Sequence, residues 1–262
     1  MKALSALGPD EAAFLRGVLF DLDDTLLTHG VLTLAAFEAL WSMHEAGLKL
    51  VAVTGRPSGW ADVIARQWPI DGCVAENGSI HVLRQGVAVA RRDTCDAALR
   101  KARRARLAQL ADRVRERVPE AILSDDVEAR RSDIAWDIGE RVRLPEDRVN
   151  AIASEIVAWG ARSMRSSVHL HATFDSDDKA SGAVRFCSRE LGEEPSGALA
   201  RFAFVGDSAN DASCFAAFRT TFGVANVRAS MPRLSLPPRY VADRAMGEGF
   251  ADIAAEILRK RR

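Results

Sequence analysis

The sequence predicts an α/β protein, a doubly wound, Rossmann-like parallel sheet interrupted by an inserted α+β unit. Three observations carry that prediction. Apolar runs of strand length alternate with helical periodicity from residue 17 to about 80, the βαβ rhythm of a parallel sheet. The same rhythm resumes near residue 173. Between them lies a mixture of short strands, a hairpin and helices, which breaks the pattern without ending it. The expected organisation is a core domain of residues 1–80 and 173–262 carrying an inserted cap of 81–172.

The first strand of the pattern is Val18-Leu19-Phe20 within GVLFDLDDTLL, an apolar run suited to a sheet buried on both faces. It ends in Asp21 and Asp23, placed where parallel sheets hold their ligands. Side chains two apart on a strand point the same way, so these carboxylates face one site and Asp24 points elsewhere. A helix is predicted at 34–46, closed by Gly47. Residues 48–53 form the next strand and run into Thr54-Gly55-Arg56-Pro57, with a helix at 58–68 behind them. A short strand at 72–75 ends in Glu76-Asn77-Gly78-Ser79.

Within the inserted region, 80–89 reads as a hairpin around Gln85-Gly86 and 96–117 as a long arginine-rich helix. Leu99, Ala102, Leu107, Leu110 and Val114 trace its apolar stripe, so the arginines belong to a solvated face. Strands are expected at 121–123, 134–138, 162–164 and 168–172, with a helix at 145–159. The core then resumes with a helix at 178–191, a strand at 202–205 ending at Gly206-Asp207, and a helix at 209–218. A strand at 221–224 and a terminal helix at 249–260 complete the chain.

Composition narrows the function classes. The chain has 262 residues, 48% hydrophobic and 27% charged, with 36 Lys plus Arg against 36 Asp plus Glu. That balance gives no global field for nucleic acid or an anionic membrane, and the arginine-rich helix lacks interleaved aromatics. Cys73, Cys95, Cys187 and Cys214 show no CxxC or metal-finger spacing. They read as the reduced thiols of a cytoplasmic protein. Pro9, Asp10 and Glu11 break any signal-peptide core, and no run is long enough to span a bilayer.

The polar residues that remain gather at strand ends. Two carboxylates a few Å apart repel unless a metal or a shared proton relieves them, and Mg²⁺ with oxygen ligands is the natural partner. DLDDT would equally serve to close a strand and cap a helix. Thr54 and the amides around Gly55 form a small oxyanion cradle, to which Arg56 could add charge; a plain strand-to-helix turn reads the same way. Lys179, in DSDDKASG, is either an ordinary surface lysine or a point charge on a phosphoryl oxygen. FVGDSANDASCF brings Asp207, Asn210 and Asp211 to one strand end, more than helix capping requires. Asn77 supplies a further polar turn, of a kind common in any loop. In the cap, Arg130, Arg131, Ser132, Asp133 and Trp136 combine donors with a flat apolar face, the needs of a sugar phosphate. His169 and His171 alternate along one strand and project to one side, which would suit a metal pair but reads rather as surface or interface residues.

Taken together, these residues resemble the haloacid dehalogenase superfamily. DLDDT matches its first motif, Thr54 its second, Lys179 its third and GDSAND its fourth, in the right order and each beside a predicted strand or helix start. The position of the insertion and the AENGS turn before it resemble subfamily IIB. That subfamily includes phosphatases for sucrose phosphate, trehalose phosphate and mannosyl-3-phosphoglycerate. The resemblance implies a Mg²⁺-dependent phosphatase acting on a small phosphorylated metabolite, a sugar phosphate first of all. It implies Asp21 as nucleophile and Asp23 as acid and base. Thr54, Gly55 and Lys179 would bind phosphate. Asp21, Asp23 (through its backbone carbonyl), Asp207 and Asp211 would hold the metal, with Asn210 supporting its waters. Arg131, Ser132 and Asp133 are the cap's substrate candidates. A phosphomutase, whose fourth motif is built differently, and a catalytically retired binding module are the alternatives. The retained acidic and lysine residues favour hydrolysis.

Overall fold

In the computed structural model, which describes residues 1–166 and 168–262, twelve strands form two separate sheets. They are β1 (Lys2–Ala3), β2 (Gly17–Phe20), β3 (Lys49–Val53), β4 (Gly72–Ala75), β5 (Ile80–Gln85) and β6 (Ala88–Asp93), then β7 (Asp133–Asp137), β8 (Arg162–Arg165), β9 (His169–Thr173), β10 (Phe202–Gly206), β11 (Thr220–Gly223) and β12 (Tyr240–Val241). Nine of them make one sheet in the order β1-β12-β11-β10-β2-β3-β4-β5-β6, and three make the other, β7-β9-β8.

The large sheet is parallel from β1 through β4. Its central strands are apolar on both faces because helices cover both sides. Val18 and Phe20 of β2 pack into one core cluster, while Leu19 packs into the other with Val51, Phe186 and Phe204. Chain order reverses at β2, which lies between β10 and β3. Such a switch point opens a crevice at the carboxyl ends of the strands, and every core motif lies there.

The hairpin of β5 and β6, expected to open the inserted unit, instead continues the large sheet. β5 pairs antiparallel with β4, and Ile80 and Val82 are buried in the core cluster that β2 and β3 share. The reason is edge protection: without the hairpin, β4 would present an open ladder of amides and carbonyls. The change of sheet comes after Asp93.

The small sheet carries the inserted unit. Ile134 and Trp136 of β7 and Leu170 and Ala172 of β9 pack against Leu107, Leu110 and Val114 of the helix Ala97–Arg117 and Val149, Ile152 and Ile156 of the helix Glu146–Ala158. The alternate residues, Asp133, Ala135, Asp137, His169, His171 and Thr173, point the other way, toward the crevice. Residues 121–123, expected as a strand, make only a single bridge from Leu123 to Trp136. Leu99 precedes the cap's packed layer and is exposed, whereas Arg100 is buried against Asp93 and Asp175 where the two connections to the core meet. No helix among the described residues is long and apolar enough to cross a membrane. The four cysteines are unpaired, with Cys73, Cys187 and Cys214 buried.

Candidate active site

Asp21 leaves β2 at the switch point, its N–H donating to the Val205 carbonyl of β10. The chain then makes a tight irregular turn, Leu22–Leu26, in which Asp24 takes a left-handed conformation, φ 56°. That turn rotates Asp23 out of line with Asp21. The two carboxylates share one region but do different things there.

Asp21 joins Asp207 and Asp211, the three offering carboxylate oxygens within 4.8 Å of one another, all buried. Lys179 Nζ donates to Asp21 Oδ1 at 2.6 Å and to Asp211 Oδ1 at 2.7 Å. The lysine is only 1% exposed, so the surface reading of it does not hold. Its placement depends on a close approach: a Cβ on Gly182, one turn along its helix, would stand 2.3 Å from Gly78 Cα. Asp178 and Ser181 cap that helix reciprocally, fixing its first turn. Asp211 Oδ2 accepts from the amides of Asp207 and Ser208 at 2.9 and 3.0 Å, and a Cβ on Gly206 would lie 2.5 Å from that oxygen. Asp207 accepts from Thr25 Oγ1 at 3.2 Å and from Asn226 Nδ2 at 2.9 Å.

Three carboxylates against one ammonium leave the cluster acidic. Burial above all pushes the Asp21 carboxyl up; Lys179 opposes it and Asp211 adds to it. Asp207 is raised by burial and then by Asp211 and Asp21. Burial also works against the charge on Lys179, but Asp21 and Asp211 outweigh it and hold the ammonium well above its ordinary range. The donor set, hard oxygens with excess negative charge in a dry site, fits a divalent cation of the Mg²⁺ type. Asp23's carboxylate lies outside this trio.

Asp23 is held instead by Arg56, whose Nε donates at 2.9 Å and Nη2 at 2.8 Å. Arg56 is 2% exposed, lies over the Trp60 ring at 4.4 Å and continues to Glu140 Oε1 of the cap at 2.5 Å. It therefore links the core to the cap. Thr54 is buried, with its Oγ1 accepting from the Arg56 amide at 3.0 Å. Gly55's carbonyl accepts from Arg130 Nη1 at 2.9 Å. Asn210 turns its Oδ1 to Ser208 Oγ, 2.7 Å, beside the trio.

Glu76 and Asn77 take consecutive left-handed conformations, φ 51° and 54°, which a glutamate adopts only when its surroundings demand it. Here core and cap together do so: the Glu76 carboxylate accepts from the core amide of Ser58 and from the cap's Arg131 and Ser132 amides and Ser132 Oγ, the last at 2.6 Å. Arg131 and Ser132 are thus placed at the core–cap joint. Asp133 lies deeper, accepting from Arg130 at 3.2 Å and lying 2.9 Å from His171 Nδ1. Burial works against its charge, but Arg130 and then His171 prevail and hold the carboxyl down at about 2. His169 Nε2 stands 2.9 Å from Glu140 Oε2, and that contact, ahead of burial, holds Glu140 down at about 2.

Two expectations for the cap are corrected here. His169 and His171 are buried, at 2% and 1% exposure, because β9 turns them toward the crevice. Trp136 packs inside the cap's own core, since it falls on the opposite face from Asp133 and Ala135. Asn226 and Glu140 escaped sequence reading as partners in the site. Their only signal was polarity within otherwise ordinary loops.

A cleft of about 290 Å³ opens between core and cap beside Lys179, lined by Asn77, Asn210, Met164 and Arg165 among others. The pocket-like space of about 330 Å³ along Leu27, Trp60, Val63 and Trp68 is apolar and lacks the acidic groups. The former cleft reaches Lys179, Asn77 and Asn210 of the site.

Residues 18–93 match the family described as haloacid dehalogenase-like hydrolase. No curated protein matches the chain in sequence. Among solved structures it is similar to a Thermoplasma acidophilum protein, TM-score 0.71 at 18% identity, covering 93% of this chain and 98% of that one. It is similar to a subclass IIB sugar phosphatase of that superfamily, TM-score 0.58 at 18% identity, covering 87% and 93%. It is also similar to a sucrose-phosphatase from Synechocystis, solved with sucrose and phosphate, TM-score 0.61 at 14% identity, covering 93% and 98%. Residues 18–93 thus match the haloacid dehalogenase-like hydrolase family in sequence, and the whole chain shares the fold of these solved structures.

Proposed function

We propose that this chain is a Mg²⁺-dependent phosphoric monoester hydrolase working through an aspartyl-phosphate, with a small phosphorylated metabolite, a sugar phosphate first of all, as substrate. The observation that carries the reading is the buried group Asp21–Lys179–Asp211–Asp207 at one sheet switch point, with Asp23 held just outside it. The neighbouring phosphatases of like fold support the same class of chemistry.

In the first step an oxygen of Asp21 attacks phosphorus and the bond from phosphorus to the ester oxygen breaks. Asp23 hands its proton to the departing oxygen; Arg56 orients that carboxyl. In the second step Asp23 takes a proton from water, whose oxygen attacks phosphorus. The bond to Asp21 breaks and inorganic phosphate leaves. Lys179 and the Thr54–Gly55 loop hold the phosphoryl oxygens as charge gathers on them. Asp21, Asp207, Asp211 and the Asp23 backbone carbonyl would hold Mg²⁺, which supplies charge neutralisation for the approach of two anions. Asn210 would support its waters. The cap, from the end of the hairpin after Asp93 to the end of β9, would select the leaving group, with Arg131, Ser132 and Asp133 framing it. A cytoplasmic site of action accords with the four unpaired thiols.

The test is phosphate release from a panel of sugar, polyol and glycerate phosphates, with Mg²⁺ and with chelator, and with a sugar bisphosphate added in one arm. Metal-dependent release from one or a few members is expected. No release from any member under any condition overturns the reading, and isomerisation only with bisphosphate replaces it by a mutase.

A further inference from the structure

We propose that Asn77 and His171 form a polar seat for a hydroxyl of the leaving group. This rests on the phosphatase reading and goes beyond it by naming what recognises the alcohol.

Both side chains are buried, each about 1% exposed, and both end without a partner. Among the described residues nothing bonds Asn77 Nδ2, Asn77 Oδ1 or His171 Nε2. Buried polar atoms of this kind are destabilising when left unmade, and native structures keep them mainly where water or a ligand completes the set. These three converge on one place. Each lies 3.3 Å from the point where a Cβ on Gly55 would stand. One group comes from the core and the other from the cap, and they meet over the phosphate loop. Asn77 also lines the cleft beside Lys179, so an alcohol leaving a phosphoryl group held at Lys179 would pass it.

The chemistry of the seat follows from the other end of the imidazole. His171 Nδ1 faces Asp133 Oδ2 at 2.9 Å, and a carboxylate held ionised by Arg130 only accepts. The ring proton therefore sits on Nδ1, and Nε2 presents a lone pair. Burial, ahead of the opposing pull of Asp133, lowers the imidazole's pKa to about 4, so the ring is neutral. A lone pair calls for an O–H donor and repels a carboxylate. Asn77 beside it offers both a donor and an acceptor, the complement of a hydroxyl pair.

The experiment is a cycle between enzyme and substrate. kcat/KM is measured for glycerol 3-phosphate and propyl phosphate, and for hexose phosphates and their deoxy counterparts, with phenyl phosphate as a hydroxyl-free ester. Wild type is compared with His171→Ala and with Asn77→Gly, the latter keeping the left-handed backbone that glycine tolerates. In wild type, loss of the recognised hydroxyl is expected to lower kcat/KM about tenfold or more. In either variant the same loss should have little further effect. An equal penalty in wild type and both variants overturns the proposal, because a merely structural role would leave the substrate dependence in place. Hydrolysis of phenyl phosphate with no preference for any hydroxylated ester overturns it while the phosphatase reading stands. No hydrolysis of any ester removes both.

Discussion

Two dense groups of buried charge face each other across the crevice, and they are built on opposite principles. In the core, Asp21, Asp207 and Asp211 outnumber Lys179, and burial drives the Asp21 and Asp207 carboxyls upward. In the cap, Asp133 and Asp126 share Arg130, while Glu140 lies between Arg56 and His169. There the carboxyls are held down: Asp126 and Asp133 against burial by Arg130, Glu140 by His169 first. Asp133 is as fully buried as Asp211; what differs is the supply of cations. The core group is incomplete without a charge from outside. The cap group completes itself, docks the cap and leaves neutral acceptors for the substrate.

The largest effect should come from the core nucleophile. Asp21→Asn is expected to lower phosphate release by roughly 10³-fold or more without lowering the thermal unfolding midpoint, because it relieves an acidic cluster. Release within tenfold of wild type would remove Asp21 from its role. Next comes Arg130→Met, which strands Asp126 and Asp133 in the cap and withdraws the bond to Gly55's carbonyl. Breaking a buried pair in this way destabilises by about 3–5 kcal/mol, measured by denaturant unfolding. Asp207→Asn, measured alongside without added cation, should show little or no loss. Equal losses in the two variants would erase the contrast between the regions.

A cation should complete the core alone. At a hundredfold excess over its Kd, Mg²⁺ should stabilise the wild-type fold by about 2–3 kcal/mol, read as a rise in the unfolding midpoint that chelator reverses. In Asp211→Asn most of that rise should vanish. In Arg130→Met it should persist at full size, since the cap's own ion pairs do not hold the metal. A rise that survives in Asp211→Asn would place the cation elsewhere.

How much of this was legible in the sequence follows from where each signal resides. The core site was readable because its residues sit at strand ends, and apolar runs such as Val18–Phe20 and Phe202–Val205 announce where strands end. Lys179 was readable only through its order among the motifs, since nothing local distinguishes it from a surface lysine. The cap was half readable. The alternation in DIAWD and HLHAT showed two-faced strands, but which face would meet helices and which the crevice depends on tertiary packing. Hence Trp136 went to the wrong side and His171 to the surface. The hairpin expected at 80–89 belongs to the large sheet and not to the inserted unit for a related reason. Its sequence specifies a hairpin, not the edge strand it will cover. Glu140 and Asn226 left no trace because long-range ion pairs and amide bonds have no sequence period.

The smallest effect tests the neutrality of the cap's acceptor directly. His171 has a folded-state pKa near 4 against an ordinary 6.5, so the unfolded chain binds its proton first as pH falls. The stability its burial affords is complete above 6.5 and is lost as pH drops toward 4. Asp133, which faces it and stays ionised down to about 2, and Arg130 keep their charges through this window. The Asp21 and Glu76 carboxyls, raised mainly by burial, also contribute to the pH dependence of folding. All of these are present in His171→Gln, so their contributions cancel in the difference between the two proteins. The wild-type advantage in unfolding free energy over His171→Gln should therefore shrink by about 1.5 kcal/mol between pH 6.5 and pH 5. A difference that stays flat would mean the imidazole keeps its proton in the fold. Nε2 would then be a donor, and the cap would present charge to the substrate as the core does.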